Sequence, residues 1–290
     1  MMITINLERT IQILFIIFAP ILGGILAGLD RKITARMQGR VGPPLLQPFY
    51  DVIKLWGKEP FIASPLQPML VIGYLVFILT GLVLLAFRGD MLHIIFTLTL
   101  ADIFLIVAAY NSGSPYSNLG ARRELLAMLS YEPLMVLTAM GIQIVTGSFL
   151  LEGIFSYNLP LLVVLPAAFI AQQFVLIIDM KKSPYDVSGS SHAHQELVRG
   201  VYTEFSGYTM AIVEITHWIK TVFILRLMSY FWVNNLAIGV GLALSLWFVA
   251  ILIDNIYPRL TWKHMLRTTW LTGFILILAN LVGLVVLGVI

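Results

Sequence analysis

Eight long apolar stretches dominate this sequence and leave few folds open to it. A helix that crosses a bilayer takes about 20 predominantly apolar residues, and such stretches lie at residues 11–29, 69–87, 91–110, 125–150, 159–178, 208–232, 236–253 and 270–290. Hydrophobic residues make up 59% of the chain and charged residues only 11%, against about 25% charged residues in a soluble domain. We therefore expect an all-α polytopic membrane protein, with residues 1–290 forming a single membrane domain of about eight transmembrane helices.

The distribution of Lys and Arg predicts the orientation of these spans. Loops on the cytoplasmic side retain Lys and Arg near helix ends. The first, third, fifth and seventh loops hold most of them, namely Arg31, Lys32, Arg36, Arg40, Lys54, Lys58, Arg122, Arg123, Lys181, Lys182, Arg199, Arg259, Lys263 and Arg267. The opposite side keeps Arg9 and Arg88, while Lys220 and Arg226 fall inside the sixth span. We expect a multi-pass protein of the cell membrane with both termini extracytoplasmic, and the small basic excess argues against a nucleic-acid partner.

Two long cytoplasmic loops, at residues 30–68 and 179–207, contain amphipathic patterns. Apolar residues recur at helical spacing in both. In the first loop they are Leu45, Phe49, Val52, Ile53 and Trp56, and in the second Leu197, Val198, Val201, Tyr202 and Phe205. Such helices lie along a membrane surface, either as passive interfacial segments or as a seat for a peripheral protein. We expect docking, with Trp56 and Arg40 of the first loop and Arg199 of the second among its residues.

Ionisable residues inside the apolar stretches are the main candidates for function. An ionised side chain near a helix centre costs about 2.5 to 3.5 kcal/mol even on the most lenient scale, so such residues usually face protein or water. Asp102 lies in the third span and Glu132 in the fourth, just before the helix-kinking Pro133. In the sixth span Glu214, His217 and Lys220 recur every three residues, within an arc of about 120 degrees. These groups either hold the bundle together as ion pairs or line an ion pathway, and their occurrence on three separate helices favours the pathway.

The chain contains no cysteine, so it cannot form disulfides, thiolate-ligated zinc sites or iron-sulfur clusters by itself. His192 and His194 lie in a loop without a third ligand nearby, and we expect no metal site there. The sequence also shows no phosphate-binding glycine loop or hydrolase triad. No catalytic residue is predicted, no cofactor is expected on this chain, and any redox chemistry belongs to partner subunits.

Four sequence motifs resemble one family of membrane subunits. They are GRVGPPLLQPFYDVIKLWGKE at residues 39–59, ADIF at 101–104, SYEP at 130–133 and HQELVRGVYTEFSG at 194–207. In order and spacing they resemble the subunit that carries the quinone chamber of respiratory complex I and its counterpart in energy-converting membrane-bound nickel-iron hydrogenases. Complex I members have a longer stretch before the LQP element, whereas here Gly42 and Pro43 run directly into Pro44. In this short loop and in EITHW at residues 214–218, the chain is most similar to the corresponding membrane subunit of Ech-type hydrogenases.

The resemblance implies a non-redox subunit, placed between a peripheral redox arm and ion-pumping membrane subunits. The implied partners are peripheral hydrogenase-like large and small subunits, a ferredoxin-like cluster subunit and antiporter-like membrane subunits, with iron-sulfur clusters and the nickel-iron centre in those partners. It also implies roles for Asp102, Glu132, Glu196 and Glu204 as acids of the chamber and lateral ion path, and for Arg40 and Arg122 as neighbouring cations. The roles of Glu214, His217 and Lys220 depend more on the spacing argument.

Other functions stay open on the sequence alone. An equivalent subunit of a quinone-reducing, sulfur-reducing or formate-linked complex would share most of these features. A secondary transporter would need a substrate site on broken helices, and internal repeats are not visible. A passive assembly anchor would leave the buried acids without a role. The pumped ion, proton or sodium, is not determined by these motifs.

Overall fold

The structure, a computed structural model, describes the backbone of residues 2–185 and 199–286, with side chains from residue 10 onward. Every regular element in these ranges is helical. The α-helices are α1 (Met2–Met37), α2 (Gln47–Trp56), α3 (Gln67–Ala86), α4 (Met91–Tyr110), α5 (Pro115–Thr146), α6 (Glu152–Ser156), α7 (Leu161–Val164), α8 (Pro166–Asp179), α9 (Gly207–Ser229), α10 (Leu236–Ile256), α11 (Trp262–Thr268) and α12 (Ile275–Val286). A π-helical segment, Thr269–Phe274, joins α11 to α12.

Each predicted span corresponds mainly to helix over its described residues, and six helical segments of the described chain are long and apolar enough to cross a membrane. They are α1 from Thr10, α3, α4, α5, α10 and the segment from α11 to α12. The remaining two predicted spans are helical but do not belong to these six segments. The fifth is broken at Leu165, so that its longer part, α8, has 14 residues. The sixth, α9, has 23 residues but carries charged side chains in its interior. The all-α membrane architecture is therefore confirmed.

Local sequence signals account for several helix ends. Asp90 caps α4 by accepting hydrogen bonds from the backbone N–H groups of Leu92 and His93, which have no partner within the helix. Proline stands in the first turn of α2, α3 and α5, where its missing N–H is not needed. Gly147 ends α5 with a φ of 76°, a conformation that glycine adopts without steric cost.

The most buried helix is α9, which packs against α1, α2, α3 and α10. Close approach to α1 requires Gly23, since a Cβ atom there would lie 2.3 Å from the carbonyl oxygen of Trp218. A second close approach brings the backbone of Val201 against Gly120 of α5, where an added Cβ would lie 2.2 Å from the Val201 nitrogen. Because these two glycines lack a side chain, α9 can approach α1 closely and the loop before α9 can approach α5 closely.

Contacts between loops agree with the predicted alternation of the spans. Loops predicted to be cytoplasmic meet at one end of the bundle, where Phe61 bonds Ser206, Asn111 bonds Ser64 and Leu260 bonds Pro184. Loops predicted on the other side meet at the opposite end, where the backbone N–H of Leu151 donates to the carbonyl of Gly89 and the side chain of Asn234 donates to the carbonyl of Asn158. The end that faces the cytoplasm stays a prediction from the Lys and Arg distribution.

The two loop helices have different outcomes. In the first loop α2 forms as predicted; Phe49 packs edge to face on Trp218, while Ile53 and Trp56 remain exposed. In the second loop, residues 186–198 lie outside the described residues, and the part that follows forms only a 3₁₀ turn, Gly200–Tyr202. An α-helix cannot continue through Arg199, because its φ of 56° is left-handed. The predicted helix from Leu197 to Phe205 is therefore wrong over its described residues.

Candidate functional site

A lysine in α9 lies between two carboxylates from two other helices. The ammonium of Lys220 is 2.7 and 2.9 Å from the two carboxylate oxygens of Asp102 in α4, and it also contacts the carboxylate of Asp179 at the end of α8. All three side chains are buried. The Asp179 contact is an ion pair without hydrogen-bond geometry, and within the described chain neither oxygen of Asp179 has a hydrogen-bond partner. We call these three residues the central cluster.

The seam between α4 and α5 leads outward from the central cluster. Tyr131 donates a hydrogen bond from its hydroxyl to Asp102. The next residue, Glu132, accepts a hydrogen bond of 2.8 Å from the hydroxyl of Thr99, which lies about one helical turn from Asp102 on α4. Glu132 and Thr99 are half-buried, whereas Asp102 is buried. The seam thus places a half-buried carboxyl about one helical turn from a buried charge.

A second lysine, Lys182, is also held between two carboxylates, nearer the loops that are predicted to be cytoplasmic. Its ammonium lies 2.8 Å from Asp30 at the end of α1 and 3.3 Å from Asp254 near the end of α10. Asp254 also accepts a hydrogen bond from the backbone N–H of Ser183. These contacts join α1, α10 and the segment after α8, three elements that are far apart in sequence.

The neighbouring lysine, Lys181, turns to α5. Its ammonium lies 3.1 Å from a carboxylate oxygen of Glu124 and 2.5 Å from the hydroxyl of Tyr202. Burial acts to lower the pKa of Lys181, but the Glu124 carboxylate and the Tyr202 hydroxyl beside it together outweigh burial and raise that pKa overall. Lys181 therefore stays positively charged and ties the loop before α9 to α5.

Two adjoining cavities lie beside α9 at the end of the bundle that is predicted to be cytoplasmic. The larger has a volume of about 270 Å³ and the smaller about 140 Å³. The polar residues of the larger are Arg31, Asp51, Lys54, Lys58, Arg199 and Glu214, and those of the smaller are Asp30, Arg31, Glu214, His217 and Thr221. Because Arg31, Glu214 and Trp218 line both, the cavities meet at Glu214.

An ion pair closes one wall of the larger cavity. Arg31 of α1 donates a hydrogen bond of 2.7 Å to Asp51 of α2, and Gln47 donates another of 2.9 Å to the same carboxylate. Partial burial acts to raise the pKa of Asp51, but these hydrogen bonds and the Arg31 charge lower it overall. Asp51 therefore stays ionised and fixes α2 across the end of α1.

The predicted site residues are spread over several parts of the molecule. Asp102 and Lys220 belong to the central cluster, with Glu132 one turn away, whereas Glu214, His217 and Arg199 line the cavities. Glu204 is half-buried, and its backbone carbonyl accepts a hydrogen bond from Gln67. Arg40, Trp56 and Arg122 are exposed. Glu196, with His192 and His194, lies outside the described residues.

The spacing argument for α9 missed which groups pair. Glu214, His217 and Lys220 make no hydrogen bond or ion pair with one another in the described structure; Lys220 turns instead to Asp102 and Asp179. Asp179 escaped notice because it ends an apolar stretch and reads as the first residue of a loop. Tyr131 stood inside the SYEP motif without an assigned role. The signal that could have found Asp179 is the need for a carboxylate near a lysine buried in a span.

Nothing in the described part of the chain resembles a metal centre. No group of three His, Cys, Asp or Glu residues there could hold a metal ion. What the geometry offers is chains of paired charges and hydroxyl groups, which can hold and pass protons.

Three known proteins are similar to this chain in sequence. Hydrogenase-4 component C of Escherichia coli is 31% identical over 204 residues, covering 64% of this chain and 63% of that protein. Formate hydrogenlyase subunit 4 of Escherichia coli is 27% identical over 280 residues, covering 86% and 90%. The H subunit of the NADH-quinone oxidoreductase of Bacillus thuringiensis is 27% identical over 231 residues, covering 72% and 68%.

A solved structure and a family pattern cover nearly the whole chain. A chain of the membrane-bound sulfane sulfur reductase, an archaeal respiratory membrane complex, superposes with a TM-score of 0.84 at 25% identity, covering 95% of this chain and 98% of that one. The pattern of the family described as NADH dehydrogenase matches residues 10–285. The chain therefore belongs to the NADH dehydrogenase family and is a membrane subunit of the complex I-like type.

Proposed function

We propose that this chain is the membrane subunit of a ferredoxin-dependent energy-converting hydrogenase, in which it joins the peripheral redox arm to ion-pumping subunits. It also carries part of the proton or sodium path. The short first loop, in which Gly42 and Pro43 run directly into Pro44, supports the hydrogenase type. So do the names of two relatives, hydrogenase-4 component C and formate hydrogenlyase subunit 4.

The observation that carries the proposal is the central cluster of Asp102, Lys220 and Asp179. One ammonium between two carboxylates leaves a net charge of −1 when all three are ionised, and an excess buried charge is costly. Uptake of one proton makes the cluster neutral without leaving an ion unpaired. The cluster can therefore gain or lose one proton while the Lys220 ammonium keeps a carboxylate beside it in both states.

The surrounding residues supply an entrance and an exit for that proton. The two cavities at the end predicted to be cytoplasmic are lined by Glu214 and His217, which lie about two helical turns and about one helical turn before Lys220 on α9, respectively. On the far side, Tyr131 bonds Asp102 and stands beside Glu132. We infer that charge moves from Glu214 through the central cluster to Glu132, which passes it to a neighbouring membrane subunit.

The cytoplasmic end is the proposed seat for the peripheral arm. Trp56 is 59% exposed on α2. Arg40 is also exposed, and among the described residues its guanidinium donates a hydrogen bond to the side chain of Gln38. Exposed Trp and Arg are the residues that most often anchor protein interfaces. Arg40→Ala or Trp56→Ala should therefore lower the amount of peripheral subunits that copurify, and full retention in both variants would refute the docking role.

The proposed complex keeps its redox centres in partner subunits. Iron-sulfur clusters and a nickel-iron centre need thiolate ligands, and this chain has no cysteine. One observation supports an alternative, a sulfur-reducing complex with a different terminal electron acceptor: this chain superposes on a chain of the sulfane sulfur reductase. The identity of the copurifying large subunit distinguishes the two, since a nickel-iron centre requires cysteine ligands there.

The ion path is tested by Glu132→Gln, which keeps the hydrogen bond from Thr99 but removes the charge. Inverted vesicles are energised with reduced ferredoxin while ion uptake and hydrogen evolution are followed in the same sample. We expect the assembled variant to lose uptake; hydrogen evolution falls with it if coupling is tight and continues if the enzyme slips. The matched control is Glu152→Gln, an exposed carboxyl in α6. Normal pumping by Glu132→Gln would make this carboxyl structural.

A further inference from the structure

An open groove on the outer surface, between α1 and α10, has the features of a phospholipid site. Its volume is about 450 Å³, and it is lined by Leu29, Lys32, Ile33, Arg36, Met37 and Phe248. We propose that this groove binds one anionic phospholipid at the cytoplasmic interface, with the acyl chains against the apolar walls and the phosphate between Lys32 and Arg36.

Depth along the helices supports this orientation. At a rise of 1.5 Å per residue, Lys32 lies about 33 Å from Thr10, near where the apolar part of α1 begins, which is close to the thickness of a hydrocarbon core. Phe248 lies about 18 Å from Leu236 at the opposite end of α10, within that core. The groove therefore spans from acyl-chain depth at Phe248 to headgroup depth at Lys32.

The two cations are available for an anion. Neither Lys32 nor Arg36 has an ion pair or a side-chain hydrogen bond with any described residue, and both are exposed. Arg31, the residue beside them, has its charge bound to Asp51 on another face of α1. No acidic residue lines the groove. Basic pockets between helices on the cytoplasmic side attract anionic headgroups, and nothing here offsets that attraction.

The apolar surface continues below the groove, which favours a lipid over a peripheral protein. Phe18 and Leu22 are exposed on α1 at helical spacing from Leu29 and Ile33. Above the groove, α1 and α10 are joined by a hydrogen bond of 3.3 Å from Gln38 to Asn255. The groove is thus closed toward the cytoplasm by a polar contact and open toward the hydrocarbon, as an acyl chain requires.

The test uses the intact complex in nanodiscs that contain equal amounts of phosphatidylglycerol and phosphatidylcholine, with native mass spectrometry to count retained lipids. Each cation near the surface strengthens binding of an anionic lipid about fivefold. The double variant Lys32→Gln/Arg36→Gln should therefore lose about 30-fold in preference for phosphatidylglycerol. Lys263→Gln/Arg267→Gln is the matched control, because it removes two exposed cations from the same side without touching the groove.

An unchanged preference in the assembled double variant overturns the proposal. So does loss of peripheral subunits with the lipid preference intact, since the two cations would then seat a protein. If the double variant fails to assemble, Arg36→Gln alone gives the same test with an expected fivefold loss. None of these results depends on the terminal electron acceptor or on the ion path, so this proposal and the proposed function fail separately.

Discussion

Replacing Lys220 by Met is the sharpest perturbation of the central cluster. Methionine fills a similar volume, but it leaves Asp102 and Asp179 buried without their shared ammonium. One carboxylate must then be neutralised on folding, at a cost of about 1.4 kcal/mol for each pH unit above its ordinary pKa of about 3.9. At pH 7 this amounts to about 4 kcal/mol, within the roughly 3 to 5 kcal/mol found when one partner of a buried ion pair is removed.

The same reasoning fixes how that loss depends on pH. The folded variant holds a proton that the unfolded chain releases, so its stability falls as pH rises. The deficit relative to wild type should shrink from about 4 kcal/mol at pH 7 to about 1.5 kcal/mol at pH 5. Thermal unfolding of the purified complex in detergent measures it, with Lys263→Met, an exposed lysine, as control. A deficit that does not change between pH 5 and pH 7 would refute the charge argument.

A companion variant separates the two carboxylates. Asp102 receives three hydrogen bonds, whereas Asp179 has an ion contact alone. Asp179→Asn leaves Lys220 paired with Asp102 and removes the excess negative charge, so it should change stability by less than about 1 kcal/mol. Asp102→Asn should cost several kcal/mol, because it weakens three bonds to a buried charge. Equal losses in the two variants would contradict the asymmetry.

Three further predictions concern the packing and the loops. Gly120→Ala should cost about 1 to 3 kcal/mol, because its Cβ would press on backbone, whereas Gly241→Ala has open space and should be neutral or stabilising in thermal unfolding. Asp51 has a lowered pKa, so its ionised form stabilises the fold above about pH 4. At a half-exposed site this contribution to the free energy of unfolding is at most about 1 kcal/mol. The stability difference between wild type and Asp51→Asn should therefore vanish below that pH. Cysteines introduced at Tyr116 and Asn158, both exposed, should react with an impermeant maleimide from the inside and the outside respectively, and labelling of both from one side would contradict the topology.

Part of the site could be predicted because its signal is local. A charged residue inside an apolar stretch is visible without any knowledge of neighbours, and this identified Asp102, Glu132 and Lys220. The choice of partner was not visible. Asp102 and Lys220 are 118 residues apart in the chain, and only the packing of α3 and α8 against α9, and of α4 against α3, decides which carboxylate reaches the ammonium.

The sequence by itself determined the class of fold and the approximate positions of the spans, and it predicts the side of the membrane on which most cations lie. Each is a property of a short stretch of chain, since the cost of placing polar groups in lipid depends on the residues of that stretch alone. Tertiary structure decided the rest. It placed Lys220 between Asp102 and Asp179 instead of beside Glu214, because a lysine of α9 can reach only those carboxylates that adjoining helices bring to its own depth.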